Sequence, residues 1–349
     1  NKRIKFIMAY TTINKSTSHH DTNIYTANGS GKTISGMGFQ PSMIWTKNRA
    51  NASYIHAIVD QVRGGTKKIF PNDTSQGEST DANAVTSFTS DGYVFGSSGS
   101  FNYSTNTYVN WCWKGAGSGS SNSDGSVTST VSADTTSGFS VVKWTGTNAN
   151  ATIGHGLGVA PKFIIIRRIA ASSTVVYHES LGNTKRLVLD GTDTPSTGST
   201  FFNNTSPTTT TFSVGTDGGS NGSTDDYIAY CFAEKTGYCK IGKYNGNGNN
   251  DGTFQYTGFA PKLLVYKNIS QTDEWFVHDY RRPGFNPSDL MFWSADTGEN
   301  TSVERIDLLS NGFKTTTTDK GANASNNEYV YIALGQSLVG TNNIPNNAR

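Results

Sequence analysis

The amino-acid sequence predicts an all-β protein built as three tandem β-sandwich or jelly-roll-like repeats of about 100 residues each. Three observations carry this. Hydrophobic residues make up 34% and charged residues 15% of the 349-residue chain, so polarity rests on Gly, Ser, Thr and Asn. That balance disfavours long solvated helices and suits short strands joined by turns, where Gly and Asn supply positive φ. One short pattern recurs three times, and no stretch of helical length shows a 3.6-residue apolar period.

The recurring pattern is GFQPSMIWTK at Gly38 to Lys47, GVAPKFIIIR at Gly158 to Arg167 and GFAPKLLVYK at Gly258 to Lys267. Each has a glycine, a proline three residues on, and an apolar run closed by a basic residue. Proline fixes φ and cannot donate to a ladder, so it belongs at the first residue of a strand or on an edge. Runs such as Lys162 to Ile166 and Lys262 to Tyr266 are continuous and rich in β-branched or aromatic residues, which suits a strand covered on both faces.

Upstream of this anchor lie Ile24 to Asn28, Val142 to Thr147 and Ile241 to Asn247, each a short strand running into a Gly- and Asn-rich turn. Downstream lie YIHAIVDQVRG, TVVYHESLG and EWFVHDYRR, followed by a further strand at Lys67 to Phe70, Lys185 to Leu189 and Leu290 to Trp293. SDGYVF at Ser90 to Phe95 matches SNGFKT at Ser310 to Thr315, with TTFSVG at Thr210 to Gly215 as a degenerate middle copy. Asp-Gly and Asn-Gly steps readily form tight turns between strands. Each copy ends on a tyrosine-led strand, from Tyr108, Tyr227 and Tyr329.

These matches predict modules at residues 24–117, 139–236 and 237–336. Residues 1–23 are expected to be a connecting arm, 118–138 a Gly/Ser-rich linker that lets the first module move more freely, and 337–349 a polar tail. The chain begins at Asn1 without an initiator Met, which suggests that a piece precedes it. No apolar stretch reaches membrane-spanning length and no signal-peptide core is visible, so the expectation is a soluble chain without membrane insertion.

A net charge of +2 without a Lys/Arg cluster gives no footprint for gripping phosphates, which argues against a nucleic-acid partner. The pairs Lys67–Lys68, Arg167–Arg168 and Arg281–Arg282 read as solvated strand ends. Three cysteines are no disulfide framework: Cys112 and Cys231 occupy matching places and read as small buried residues, while Cys239 could pair only if its strand lies beside one of theirs.

The segments GFQPSMIWTKNR, TSFTSDGYVFGSS, GFSVVKWTG with HGLGVAPKFIIIRR, DDYIAYCFAEKTGYCKIGKYNGNG, TGFAPKLLVYKN and LLSNGFK together resemble a repeat family of virion structural and tail-fibre-like proteins of marine tailed phages. The resemblance covers the chain from about residue 22 onward. It implies a protein displayed on the phage particle, in the tail, the fibres or the head surface, without catalytic residues to carry over. It implies other virion proteins as partners, a homo-oligomer such as a trimer, and contact with a host glycan or receptor. Departures are the missing SDG-type turn in the middle copy and the residue opposite Trp275, which is Thr174 in copy two and lies near Tyr54 in copy one.

Several constellations were weighed for chemistry. His178 and His278 each lie 17 residues after their module's proline, next to Glu179 and Asp279, and copy one has Asp60 there. Adjacent strand residues face opposite ways, so a repeated structural site is the better reading than a metal or catalytic one. His19 and His20 lack the further ligands that a metal needs, and His155 reads as a turn residue. Asp225–Asp226 and Asp273–Glu274 sit in loops and do not recur in all three copies, whereas glycoside hydrolysis needs two convergent carboxylates about 5 to 10 Å apart. GSGKT at Gly29 to Thr33 lacks the first glycine of a phosphate loop. No cofactor and no metal are therefore expected.

Trp144 and Tyr244 read as core residues. Trp275, Tyr280, Arg281, Arg282, Phe285 and Trp293 are the candidates for contact with a ligand or partner, because large flat side chains beside the turn signal RRPGFNP supply contact area. The function expected is a phage virion structural protein that touches the host surface without catalysis. The alternatives are a head or tail decoration protein and, more weakly, a glycan depolymerase.

Overall fold

A computed structural model of the chain describes residues 10–282, 286, 290–295, 298–301 and 304–339. It is all-β, with antiparallel sheets throughout its named strands. The first large sheet is ordered His20–Thr26, Thr107–Lys114, Pro41–Asn48, Ala57–Asp60, Gly64–Ile69 and Ser79–Thr80. In the second, Phe139–Thr145, Asp226–Phe232, Phe163–Arg168, Thr174–His178 and Lys185–Val188 follow the same order, and in the third so do Cys239–Asn245, Glu328–Ser337, Phe259–Asn268, Trp275–Asp279 and Met291–Phe292. A small sheet covers one face of each, centred on Gly92–Phe95, Thr211–Val214 and Gly312–Thr315 respectively.

The apolar runs form the middle of each large sheet, and their side chains alternate between two different cores. Met43 and Trp45, Phe163 and Ile165, and Leu263 and Val265 point into one shared core. Ile44, Ile164 with Ile166, and Leu264 with Tyr266 point to the other face, each into a separate core under its own small sheet. The tyrosine-led strands behave alike: Trp111, Tyr230 and Ile332 enter the shared core, whereas Cys112, Cys231 and Ala333 face the small sheets. Such strands lack the polar–apolar alternation of a half-exposed sheet because neither face meets water. Pro41 and Pro261 each sit at a register shift two residues before the regular ladder begins, where a missing donor costs nothing.

Each tyrosine that leads a final strand is held in the same way. Tyr108, Tyr227 and Tyr329 donate to the carbonyls of Gly99 (2.6 Å), Gly218 (2.7 Å) and Lys320 (2.8 Å). They accept from the amides of Tyr103 (3.0 Å), Gly222 (2.6 Å) and Ala324 (2.9 Å). Their rings stack on Tyr25, Trp144 and Tyr244 with centroids 5.5, 5.4 and 4.8 Å apart. Six residues before each tyrosine a buried Asn plugs the turn. Asn323 accepts from the Asn247 amide (3.0 Å) and its amide nitrogen donates to Asn249 O (2.7 Å) and Thr317 O (2.8 Å). Asn102 and Asn221 do the same work, receiving the amides of Asn28 (2.9 Å) and Thr147 (3.1 Å).

Two expectations about connections are corrected. The Gly/Ser-rich segment is not a free linker: Ser120–Asn122 pairs with Ser129–Asp134, which pairs in turn with Phe139–Thr145. Gly115 is pressed against Ser42 and Ser132, so the first large sheet is docked against the strand that follows the Gly/Ser-rich segment. The arm is equally committed. His20–Thr26 is a full strand of the first sheet, Ile13 lies in the shared core, and the Ser16 amide donates to Gln336 Oε1 at 2.8 Å. Gln336 Nε2 returns a bond to Asn14 O at 3.0 Å, joining the first sheet's entry to the third sheet's last strand. Ser337 closes that strand, and residues 340–349 of the expected tail lie outside the described residues. Cys239 pairs with Leu334 on that strand and not with another cysteine's strand, and all three thiols are buried and free.

Because residues of all three large sheets share one core, unfolding is expected to be a single cooperative event. Trp45 stacks on Trp293 of the third sheet pair at 4.1 Å, and Trp45→Ala should cost about 3–5 kcal/mol. Urea unfolding followed by tryptophan fluorescence and by far-UV circular dichroism should give coincident transitions in both proteins; separated transitions would show that the sheet pairs unfold independently. Asn221→Ala, which strands several turn amides and carbonyls, should cost about 2 kcal/mol or more in the same experiment.

Candidate functional site

The chemistry-bearing side chains collect where the three sheets meet. Asp60 and Asp279 end the strands Ala57–Asp60 and Trp275–Asp279, and each is closed by the arginine three residues later. Asp60 Oδ1 accepts the Arg63 amide (2.9 Å) and its Oδ2 accepts Arg63 Nε (2.7 Å); for Asp279 and Arg282 the distances are 3.0 and 2.6 Å. Each guanidinium also reaches a carbonyl of its own strand and a second carboxylate, Glu78 for Arg63 and Glu299 for Arg282, both at 3.1 Å. Burial pushes the Asp279 carboxyl up, but the Arg282 charge and hydrogen bonds together with the Trp111 hydrogen bond hold it below its usual range.

These pairs are also bonded across sheets. Tyr230 of the second sheet donates to Asp60 of the first at 2.9 Å, and Trp111 of the first donates to Asp279 of the third at 3.1 Å. His178 holds the corresponding place in the second sheet, opposite Phe163 as Asp60 is opposite Met43 and Asp279 opposite Leu263. Its Nε2 bonds to Tyr331 O of the third sheet at 3.2 Å, and its Nδ1 accepts the Ser180 amide at 3.2 Å. Three residues after His178 stands Leu181 and no arginine, so no cation is present to hold a carboxylate there. Burial drives the His178 pKa down to about 4, so the ring is neutral.

The offset of 17 residues picked His278 as the partner of His178, but the strand register assigns that place to Asp279. The loop between the two strands is longer in the third copy, so counting through it slips by one. His278 faces the other core, where its ring stacks on Tyr266 at 5.8 Å.

The basic residue that ends each recurring pattern is buried as well. Arg167 donates to Asp73 O (2.8 Å) and Gln76 O (2.6 Å) of the first sheet's connections, and Lys267 to Thr192 O (3.1 Å) of the second's. Lys47 is fully buried and bonds Tyr54 O at 2.6 Å. Burial lowers the Lys267 pKa to about 8. Arg167 and Arg282 are thus not solvated strand ends; each is matched by carbonyls or carboxylates inside the protein.

The six sequence candidates for contact separate sharply. Trp275 is wholly buried, its Nε1 donating to Val188 O at 2.8 Å, and Trp293 is buried on Trp45. Arg282 lies inside its carboxylate pair. These three are corrected from surface contacts to joints between sheets: the aromatic bulk that suggested a partner is used on a neighbouring sheet of the same chain. Phe285 lies outside the described residues. Arg281 is exposed and Tyr280 half-buried. Tyr280 donates to Asp21 Oδ1 at 2.7 Å, with Lys262 and Arg281 over its ring at 4.7 and 4.9 Å, and burial together with the Asp21 carboxylate raises its pKa. The counterpart of Trp275 and Thr174 in the first sheet is His56, two residues after Tyr54: Trp45 Nε1 donates to its Nδ1 (2.9 Å), and its Nε2 meets Phe292 O (2.8 Å).

The other constellations are tied down locally. Asp225 pairs with Arg168 (2.9 Å) and Asp226 with Lys143 (3.0 Å), while Glu274 accepts from Ser294. His19 pairs with Asp134 at 2.5 Å, and His20 is buried against Trp113 with its pKa driven down to about 3. His155 is a turn residue, taking the Leu157 amide at 3.2 Å. Among the described residues no three His, Cys, Asp or Glu side chains gather as a metal would need, and no helix is long and apolar enough to cross a membrane. The D-x-x-R spacing of Asp60–Arg63 and Asp279–Arg282 was the readable signal for the carboxylate–guanidinium pairs; the carbonyl partners of Lys47, Arg167 and Lys267 left none.

The chain belongs to a family described as a domain of unknown function, DUF7483, whose match spans residues 15–337. No curated protein matches the sequence.

Removing one partner of a buried pair leaves an uncompensated charge, so Asp279→Ala should lower stability by about 3–5 kcal/mol, while Asp279→Leu combined with Arg282→Met should recover much of the loss. Chemical denaturation of the two variants beside the unaltered protein checks this. Acid should act through the buried neutral histidines, His178 and His20 among them. The folded pKa of each lies below its unfolded value, so stability is complete above about pH 6.5, and the His178 share is lost as pH falls towards about 4, by about 1.4 kcal/mol per pH unit. His178→Gln should make that limb of the stability–pH profile shallower by about this slope, and an unchanged slope would show that His178 has no part in acid sensitivity.

Proposed function

We propose that this chain is a structural protein of a tailed phage virion, displayed on the particle, that engages the host surface without catalysis. The observation that carries the reading is how the ionisable groups are used. His178, Asp279, Arg282 and Lys267, each perturbed by burial or pairing, face other sheets of the same chain and not a cleft. The exposed turns carry Asn, Thr, Ser and Gly, braced by their own backbone, as at Asn247, Asn249 and Thr208. Turns held by their own hydrogen bonds in this way are suited to being presented to a partner. We further read the chain as three copies of one module, which the shared strand order and the three tyrosine–asparagine turns support. The placement on a virion comes from the sequence resemblance.

A decoration protein is the second reading, favoured by one feature. Residues 14–16 and Gln336 are bonded together, so the two ends of the described chain lie side by side, where one neighbouring subunit could hold both. An antiserum raised against the full chain should label intact particles in immunogold micrographs of phage whose genome encodes it. Label confined to the soluble fraction of lysed cells would sink the virion reading. Light scattering on purified protein separates the two placements: a stable trimer supports a fibre or spike, and a monomer supports decoration.

A further inference from the structure

The three small sheets are alike in pairing but not in what they show to solvent. In the third, Phe254–Tyr256 pairs with Gly312–Thr315 as Lys32–Ile34 pairs with Gly92–Phe95 and Ala151–Gly154 with Thr211–Val214. Aligning these registers on Gly312 and Gly92 sets Phe254 against Thr33 and Thr152, and Tyr256 against Ser35 and Gly154. Only the third copy places aromatic rings at these outward positions. Tyr256 is 62% and Phe254 44% exposed, and Tyr10, 41% exposed, joins them. Three of the five exposed large hydrophobic side chains among the described residues thus lie together.

Backbone geometry makes room for the pair of tyrosines. Gly258 has φ of +84°, and a Cβ there would lie 2.3 Å from Tyr10 Oη and 3.6 Å from Tyr256 Oη. Tyr10 Oη donates to Gly258 O at 3.2 Å. Gly38 and Gly158, which open the same pattern in the other copies, have nothing within 4 Å of that position. The two phenols border a cavity of about 430 Å³ whose other walls include Glu234, Lys235 and Lys240. Glu234 is held by Lys162 at 2.9 Å and Lys240 at 3.1 Å, whereas Lys235 makes no ion pair among the described residues.

We infer that the cavity bordered by Tyr10, Tyr256 and Lys235 binds a segment of acidic glycan, with a sugar ring stacked on the tyrosines and its carboxylate or sulfate on Lys235. Aromatic faces carrying hydroxyls suit rings with one apolar face and a polar rim. The cavity has the volume of a small-ligand site, and three rings are too few for a stable protein interface of about 1,200–2,000 Å². The inference rests on the host-contact reading for its biological role, but its test is separate.

Binding of an alginate oligosaccharide and of a neutral chito-oligosaccharide to the full chain is measured by titration calorimetry. Tyr256→Ser and Phe254→Thr install residues that the first copy already carries, so both variants should keep the wild-type melting temperature. The alginate oligosaccharide is expected to bind at millimolar or lower concentration, more weakly as salt rises. Tyr256→Ser should weaken it about tenfold, and Lys235→Gln by a smaller factor that disappears at high salt. No binding of either sugar at millimolar concentration, or binding indifferent to Tyr256→Ser, overturns the site. Equal binding of both sugars with no effect of Lys235→Gln overturns its acidic specificity. Particle labelling in the immunogold experiment stands or falls independently of each of these results.

Discussion

Everything else in this protein depends on the middle strands being buried on both faces. A sheet with two apolar faces needs two covers, and a single small sheet supplies only one. The second cover for each large sheet is the other two large sheets, so Trp45, Ile165 and Val265 meet in one core while Ile44, Ile164 and Leu264 fill three separate ones. Each third of the chain closes its apolar surface against the other two.

That arrangement explains where the charges went. The ends of strands that would be solvated in an isolated sandwich are brought against a neighbouring sheet, and any polar group there must be matched or removed. Two of the three places use an aspartate closed by its own arginine and bonded by Tyr230 or Trp111 from next door; the third uses a neutral histidine. These are different answers to one requirement, and the choice follows from whether the residue three positions on is Arg or Leu. The cations ending each recurring pattern answer the same requirement with carbonyls as acceptors.

The all-β class, the recurring anchor and the burial of Trp144 and Tyr244 were legible in the sequence, because alternation and repetition are properties of neighbouring residues. The association of the sheets was not. Trp275, Trp293 and Arg167 looked like surface groups because an aromatic or a cation at a strand end carries no mark of what lies opposite it, here Val188, Trp45 and Gln76, each distant in sequence. The Gly/Ser-rich stretch misled for a related reason. Composition there fits a spacer, yet Ser120–Asn122 is an edge strand in which small residues let chains approach closely, as Gly115 does beside Ser42 and Ser132. The position of His278 was lost to a one-residue change in loop length, which register reveals and counting cannot.

Repetition also separates what the scaffold needs from what it leaves free. The tyrosine that closes each module keeps the same two bonds three times over, with acceptor nine residues and donor five residues before it, because the turn would otherwise strand buried backbone groups. The outward positions on the small sheets carry no such obligation: they are Thr, Ser and Gly on two of them and Phe and Tyr on the third. A side chain that contributes nothing to the cores and is large, apolar and exposed is a cost to solubility. Its presence on one small sheet alone, beside Gly258, whose open Cβ position the Tyr10 hydroxyl fills, sets the surface of the third small sheet apart from the other two.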